Sequence, residues 1–253
     1  MESATRAKFI DIWNEYFPGA ELPIAFWYAN NPGGTPIAQR SGDWSCVICE
    51  LAKVRNGGAL AFDGDTLGCG GSKRYFGFAQ ELREGFEYFL SCGIAGIMEG
   101  ERYKKTPEMV LKLLEIQPYF EAPAKYIVFK RFDALTDADE PHAFIFFAQP
   151  DTLSGLFTLS GYDEASYEAV IAPFAAGCSS IVFWAMQELA KGTNRSIIGM
   201  FDVSARPCVP ETTLTFTIPA PRFMRMVDNA RESFLITESW AKVRKRIAVA
   251  SRK

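Results

Sequence analysis

Pro23-Ile24-Ala25-Phe26-Trp27-Tyr28-Ala29-Asn30-Asn31-Pro32 returns later in the chain as Pro141-His142-Ala143-Phe144-Ile145-Phe146-Phe147-Ala148-Gln149-Pro150. Proline, Ala-Phe, an aromatic, an amide and proline recur in register. Each stretch predicts a short buried strand, because aromatic and β-branched side chains fit a pleated surface and proline is tolerated at strand ends. Two further matches keep the same order. Glu50-Leu51-Ala52-Lys53 recurs as Glu188-Leu189-Ala190-Lys191, and Phe62-Asp63 followed by Cys69 recurs as Phe201-Asp202 followed, at equal distance, by Cys208. Matches in one order favour duplication over chance.

A helix is expected after each strand. In the first copy Ser45 can cap it, Val47, Ile48, Leu51 and Ala52 form the apolar stripe, and Gly57-Gly58 end it. In the second, Ser179 or Ser180 caps a helix over residues 181–190 that is apolar nearly all round and so deeply buried, with Gly192 ending it. Strands are predicted over 59–63 and 197–202, then over 74–78 and 214–218. Outer helices are predicted over 5–16, 80–90, 107–116, 222–229 and 239–249. The expected fold class is α+β: internally duplicated strand-helix-strand-strand units forming one pseudo-symmetric body with flanking helices. Residues 1–125 make the first half and 126–253 the second, packed as one unit because each copy leaves an apolar face that the other buries. Residues 155–177 read as an insertion in the second copy.

The chain has 253 residues, 48% of them hydrophobic, enough for a sizeable core without covalent staples. With 27 basic against 30 acidic side chains it has no electrostatic footprint for a phosphate backbone, so nucleic acid is not an expected partner. Lys242, Arg244, Lys245, Arg246, Arg252 and Lys253 fit a solvated helix face. The first residues show no basic leader followed by an apolar block, and a cytoplasmic location is the expectation. Residues 169–187 carry no charge, but Pro173, Gly177, Cys178, Ser179 and Ser180 would break a spanning helix, so no membrane is expected and the segment reads as a buried loop and helix. The single histidine, His142, reads as a strand-edge residue. Gly-x-Ser-x-Gly, His-Glu-x-x-His, Gly-x-Gly-x-x-Gly and Walker-type motifs do not occur, which removes the commonest hydrolase and nucleotide-binding signatures.

The cysteines carry the most chemistry. Without an export signal the six are expected to be reduced thiols, ligands or core residues. Cys46-x-x-Cys49 falls in the first turn of the first helix and Cys178 opens the second, where free backbone N–H groups stabilise thiolate. Cys69 and Cys208 occupy matching turns. Cys46, Cys69 and Cys178 are candidate ligands for zinc or an iron–sulfur cluster, with Cys49 or Cys208 as a fourth. A second Cys-x-x-Cys is missing, since Gly70, Gly71 and Ser72 follow Cys69. Other readings are a Cys46/Cys49 dithiol, although the stretch ahead of it does not read as a strand; one activated cysteine with Asp63 or Asp65 in place of histidine; or cysteines that simply pack. Gly70-Gly71-Ser72, beside Lys73, Arg74 and Arg206, could form an anion nest for a carboxylate or phosphate bridging the halves, against the alternative of arginine salt bridges within the fold. The phenylalanines follow the strands and read as core.

Several stretches together resemble a known family. They are Gly68-Cys69-Gly70-Gly71 with Arg74-Tyr75-Phe76-Gly77-Phe78, Phe146-Phe147-Ala148-Gln149-Pro150-Asp151, Gly177-Cys178-Ser179-Ser180-Ile181, and Ile198-Gly199-Met200-Phe201-Asp202 with Ser204-Ala205-Arg206-Pro207. The chain is similar, from about residue 22 to about residue 235, to the proteins grouped as domain of unknown function 169. The resemblance implies no particular activity. It implies that Cys46, Cys69 and Cys178 match cysteines of the family pattern, whereas Cys49, Cys92 and Cys208 have no place in it. The leading expectation is a cysteine-lined site between the halves that binds a metal, a cluster or a small anion. The alternatives are an enzyme with one activated thiol and a non-catalytic scaffold; oligomeric state is not legible.

Overall fold

Both proline-bounded runs are strands, and they lie side by side at the centre of one sheet. The computed structural model describes residues 1–40, 42 and 44–250; Arg252 and Lys253 of the basic C-terminal stretch lie outside the described residues. In chain order the elements are α1 (Ser3–Tyr16), β1 (Ile24–Ala29), α2 (Val47–Glu50), α3 (Ala52–Arg55), β2 (Ala59–Phe62), α4 (Gly70–Tyr75), α5 (Phe86–Phe89), α6 (Pro107–Glu115), β3 (Tyr126–Arg131), β4 (Ala143–Ala148), α7 (Pro150–Ser160) and β5 (Val170–Ile171). A π-helical turn (Ser179–Phe183) then runs into α8 (Trp184–Lys191), followed by β6 (Ser196–Gly199), β7 (Leu214–Pro219), α9 (Ala220–Asn229) and α10 (Glu238–Ala250).

The sheet has seven strands among the described residues, in the order β2-β3-β1-β4-β7-β6-β5. Every neighbouring pair is antiparallel except β5 with β6. Outward from β1–β4, one side runs β1, β3, β2 and the other β4, β7, β6, with β5 added at that edge. The strand order is therefore symmetric about the central pair; common descent of the halves is a separate proposal that topology alone does not test.

Alternation along the strands splits the core in two. Ala25, Trp27, Phe144, Phe146, Phe216 and Ile218 face α1, α7, α9 and α10, whereas Ile24, Phe26, Ile145 and Phe147 face α2, α3 and α8. Because both faces are covered, β1 and β4 read as unbroken apolar runs. His142 continues the joint between them: its Nδ1 accepts the Tyr28 N–H at 3.3 Å, and burial lowers its pKa. Phe223 of α9 stacks on Phe144 with ring centres 3.9 Å apart and also meets Phe9 and Phe132.

Several local expectations differ from the structure. Residues 74–78 are not a strand; α4 occupies Gly70–Tyr75, capped by Cys69, and the missing strand is β3. A short apolar run such as Tyr75-Phe76-Gly77-Phe78 suits either helix or strand, and periodicity cannot separate them. β3 opens at residue 126, the expected start of the second half, yet pairs with β1 and β2. The helix predicted over 80–90 shrinks to α5. Pro150 starts α7, an unforeseen helix that takes up part of the expected insertion. Cys46 rather than Ser45 holds the N-cap position of α2, and Cys178 precedes the π turn that contains Ser179 and Ser180. Gly192 ends α8 as expected. Among the described residues no helix is long and apolar enough to cross a membrane.

Phe223→Ala should lower stability by about 3–5 kcal/mol, the range for emptying a packed aromatic site. Urea denaturation measures this, and a loss under about 1 kcal/mol would show that α9 does not clamp the sheet.

Candidate functional site

Two glycines, each placed just before a cysteine, mark where distant segments touch. A Cβ on Gly68 would lie 1.9 Å from Ser45 Oγ and 2.9 Å from Ser45 N and O, so the chain just before Cys69 lies directly on the residue just before Cys46. A Cβ on Gly177 would lie 3.1 Å from Ala205 Cβ and Met200 Sδ and 3.6 Å from Ile48 Cγ1, which seats the Cys178 segment between α2 and the loop after β6. Tyr75 of α4 meets Phe183 of the π turn edge to face at 5.8 Å. These contacts bring Cys46, Cys69 and Cys178 into one electrostatic neighbourhood.

Burial dominates the ionisation of two of these sulfurs. Cys178 is 8% exposed, and burial pushes its pKa well above the usual thiol range, with negative charge at Cys69, Cys46 and Asp202 pushing it further. Burial also raises Cys46; N–H groups of Ile48 and Cys49 favour its thiolate, while Cys69 and Asp202 oppose it. The helix-start stabilisation expected for Cys46 is therefore present but outweighed. Cys69 is tied to α4: the Ser72 N–H donates to its Sγ at 3.3 Å, and its thiol donates to Ser72 Oγ at 3.1 Å. As the side chains stand, no three His, Cys, Asp or Glu among the described residues form a group able to hold a metal ion.

Asp202, which in the sequence only marks the repeat, is a further neighbour of Cys46 and Cys178. Its Oδ2 accepts the Gly177 N–H at 3.0 Å, and its Oδ1 accepts the Ser204 N–H and hydroxyl at 3.1 and 2.8 Å. The matching Asp63 turns inward on its own loop, accepting from Asp65 and Thr66, which engages it away from the role of a base. Tyr75 stands near Cys178 and Asp202 with its phenol pushed up to about 12, mainly by burial. Tyr103 reaches in from the excursion between β2 and β3 and accepts the Ser204 N–H at 3.2 Å. Met200 is buried with φ +67°, a backbone state costly for a non-glycine residue.

The proposed anion residues are differently employed. Gly70, Gly71 and Ser72 form the first turn of α4, where the Ser72 N–H serves Cys69. Arg74 donates to Gln80 O, and Arg206 donates to the carbonyl oxygens of Thr213, Pro210 and Glu211 in its own loop.

The expectation of uniformly reduced thiols is corrected at one pair. Cys49 and Cys208 form a disulfide across 159 residues of chain, with Cα atoms 4.7 Å apart, within the span such a bridge requires. That pairing displaces the Cys46/Cys49 dithiol, and it was illegible because residues far apart in sequence meet only after folding. Cys46, Cys69, Cys92 and Cys178 are free, Cys92 on the exposed excursion.

Gly68→Ala should cost about 1–3 kcal/mol, the usual penalty of overpacking, and should speed alkylation of Cys46 and Cys69 in the folded protein. Peptide mapping after brief iodoacetamide treatment reads the second effect; unchanged rates would mean that this contact does not seal the sulfurs. Because Cys178 keeps its proton longer in the native than in the unfolded chain, its contribution to stability is full below the ordinary thiol pKa of about 8.5 and falls as pH rises toward the native value. Denaturation midpoints from pH 7 to pH 10 should therefore fall less steeply in Cys178→Ala, and an identical slope would contradict the burial effect.

No curated protein and no solved structure matches this chain. One family model, DUF169, described as uncharacterised ArCR, matches residues 20–229, a span that includes β1 through β7 and all three clustered cysteines. With the cysteine cluster inside the matched region and most of the chain covered, the protein belongs to the DUF169 family.

Proposed function

We propose that this protein binds a soft metal ion or an iron–sulfur cluster through Cys46, Cys69 and Cys178, between its two halves. The observation that supports this reading is the convergence of three free sulfurs from segments 23 and 109 residues apart in sequence, packed through Gly68 and Gly177. Thiolates select zinc, copper(I) or iron–sulfur clusters over hard cations. Burial, and repulsion from nearby negative charge, favour the protonated form of Cys178 and Cys46, so metal uptake there releases protons. Closing the sulfurs on one centre requires rotation of the cysteine side chains and release of Cys69 from Ser72. Three ligands leave a position open, the arrangement of reactive rather than closed metal sites. The same burial weighs against a single activated thiol, and the internal engagement of Arg206 weighs against an anion site.

The test is metal and acid-labile sulfide analysis, with an absorption spectrum, of protein purified without oxygen. About one ion or one cluster per chain is expected, with Cys46→Ser, Cys69→Ser and Cys178→Ser each weakening retention about tenfold or more and Cys92→Ser leaving it unchanged. A preparation that is metal-free and also takes up neither zinc(II), cobalt(II) nor a reconstituted cluster would refute the proposal.

A further inference from the structure

We infer that the Cys49–Cys208 disulfide is a reducible strap that holds the loop between β6 and β7 shut over Cys178, so that this thiol becomes reachable when a dithiol reductant opens the bond. The inference concerns access to one sulfur and stands whether or not a metal binds there.

The loop covers Gly177-Cys178 with its inward side chains. Met200 Sδ and Ala205 Cβ each come within 3.1 Å of where a Gly177 Cβ would stand, and Asp202 Oδ2 accepts the Gly177 N–H at 3.0 Å. Met200, Ala205 and Val209 are buried in the same apolar cluster as Cys178 and Ile48, whereas Phe201 and Val203 point to solvent. For its own shape the loop relies on itself. The Ala205 and Arg206 N–H groups donate to Asp202 O, Cys208 N–H to Ala205 O and Val209 N–H to Arg206 O, and the Arg206 guanidinium serves carbonyl groups of the same loop. A segment whose backbone bonds turn inward in this way opens at lower cost than the sheet beside it. Met200, where the loop begins, has φ +67°, a state that persists only where the surrounding structure imposes it.

The bridge supplies that constraint at the far end. It ties Cys208 to Cys49 of α2, the helix whose Ile48 also packs on Gly177, so the loop is closed on α2 with Gly177 held by both. β6 and β7 remain paired from Ile197 to Gly199, and the loop can lift without parting the strands. Cys49 is exposed and Cys208 half-buried, while Cys178 is buried. Exposed disulfides are the labile ones. Opening is a thiol–disulfide exchange: two thiols of the reductant become its disulfide, and two electrons and two protons pass to Cys49 and Cys208 as their bond breaks. Once the loop lifts, Cys178 leaves the surroundings that hold its proton, and its thiolate, the reactive form, becomes populated. A disulfide oxidant, itself reduced to two thiols, re-forms the bridge and withdraws Cys178 from oxidation in the same step.

Thiol titration of the unfolded, unreduced chain should count four sulfhydryls, against six after reduction; six without reduction would remove the strap. Brief iodoacetamide labelling of the folded chain in the presence of a chelator, followed by peptide mapping, reads the access. Cys178 should be modified about tenfold or more faster in the reduced chain, freed of reductant, than in the oxidised one, while Cys69, held by Ser72 of α4, changes by less than about twofold. Re-oxidation should restore slow labelling. Cys49→Ser and Cys208→Ser should each label Cys178 fast without reductant; circular dichroism checks that they fold, and the wild-type comparison decides if they do not. Equal Cys178 rates in the two wild-type states would overturn the inference, as would a parallel rise at Cys69, which would show general loosening. With the chelator present throughout, the strap can fail while the metal reading survives, and the reverse.

Discussion

The antiparallel joint between β1 and β4 is the constraint from which the rest of the molecule follows. Ile24 faces Ile145 and Phe26 faces Ala143 across it, and both faces of the pair are dry. A polar group buried there costs free energy unless it finds a partner. Accordingly His142, at the edge of the joint, spends its Nδ1 on a backbone N–H. With this pair in place, each half adds strands outward and helices above and below. The loops that follow β2 and β6, together with the start of α2, then arrive on the same side of the sheet.

That arrival creates a conflict between packing and ionisation. Gly68 closes on Ser45 and Gly177 on Ile48, and among the sulfurs nearby Cys178 is buried while Cys46 and Cys69 stay partly exposed. At Cys46 partial burial opposes thiolate formation more strongly than the helix-start N–H groups favour it. Met200 in a left-handed conformation and a π-helical turn directly after Cys178 add local backbone irregularity on the same side of the sheet, of a sort that persists where the surrounding structure holds it.

Two of the buried charges among the described residues, Arg222 and Glu188, are paired. Arg222, 1% exposed, donates to Ser160 O and forms ion pairs with Asp163 and Glu164; Glu188, 0% exposed, takes Arg195 and Thr193. Removing one partner of such a group would strand the other in low dielectric. These networks have every strong donor and acceptor facing another, which is the signature of architecture, whereas the cysteine cluster collects groups of like charge once ionised.

How much was legible in the sequence depended on the range of the interaction. The apolar runs at 24–29 and 143–148, the helix ending at Gly192 and the α+β class follow from side-chain periodicity and helix-stop residues, which are local properties. The place of Cys46 at a helix start was legible too. The helical state of residues 70–75, the insertion of β3 between β2 and β1, the pairing of Cys49 with Cys208 and the presence of Asp202 beside the sulfurs were decided only by the tertiary structure. Each of these turns on contacts between residues far apart in the chain, and a short segment that suits two conformations adopts the one its distant neighbours can bury.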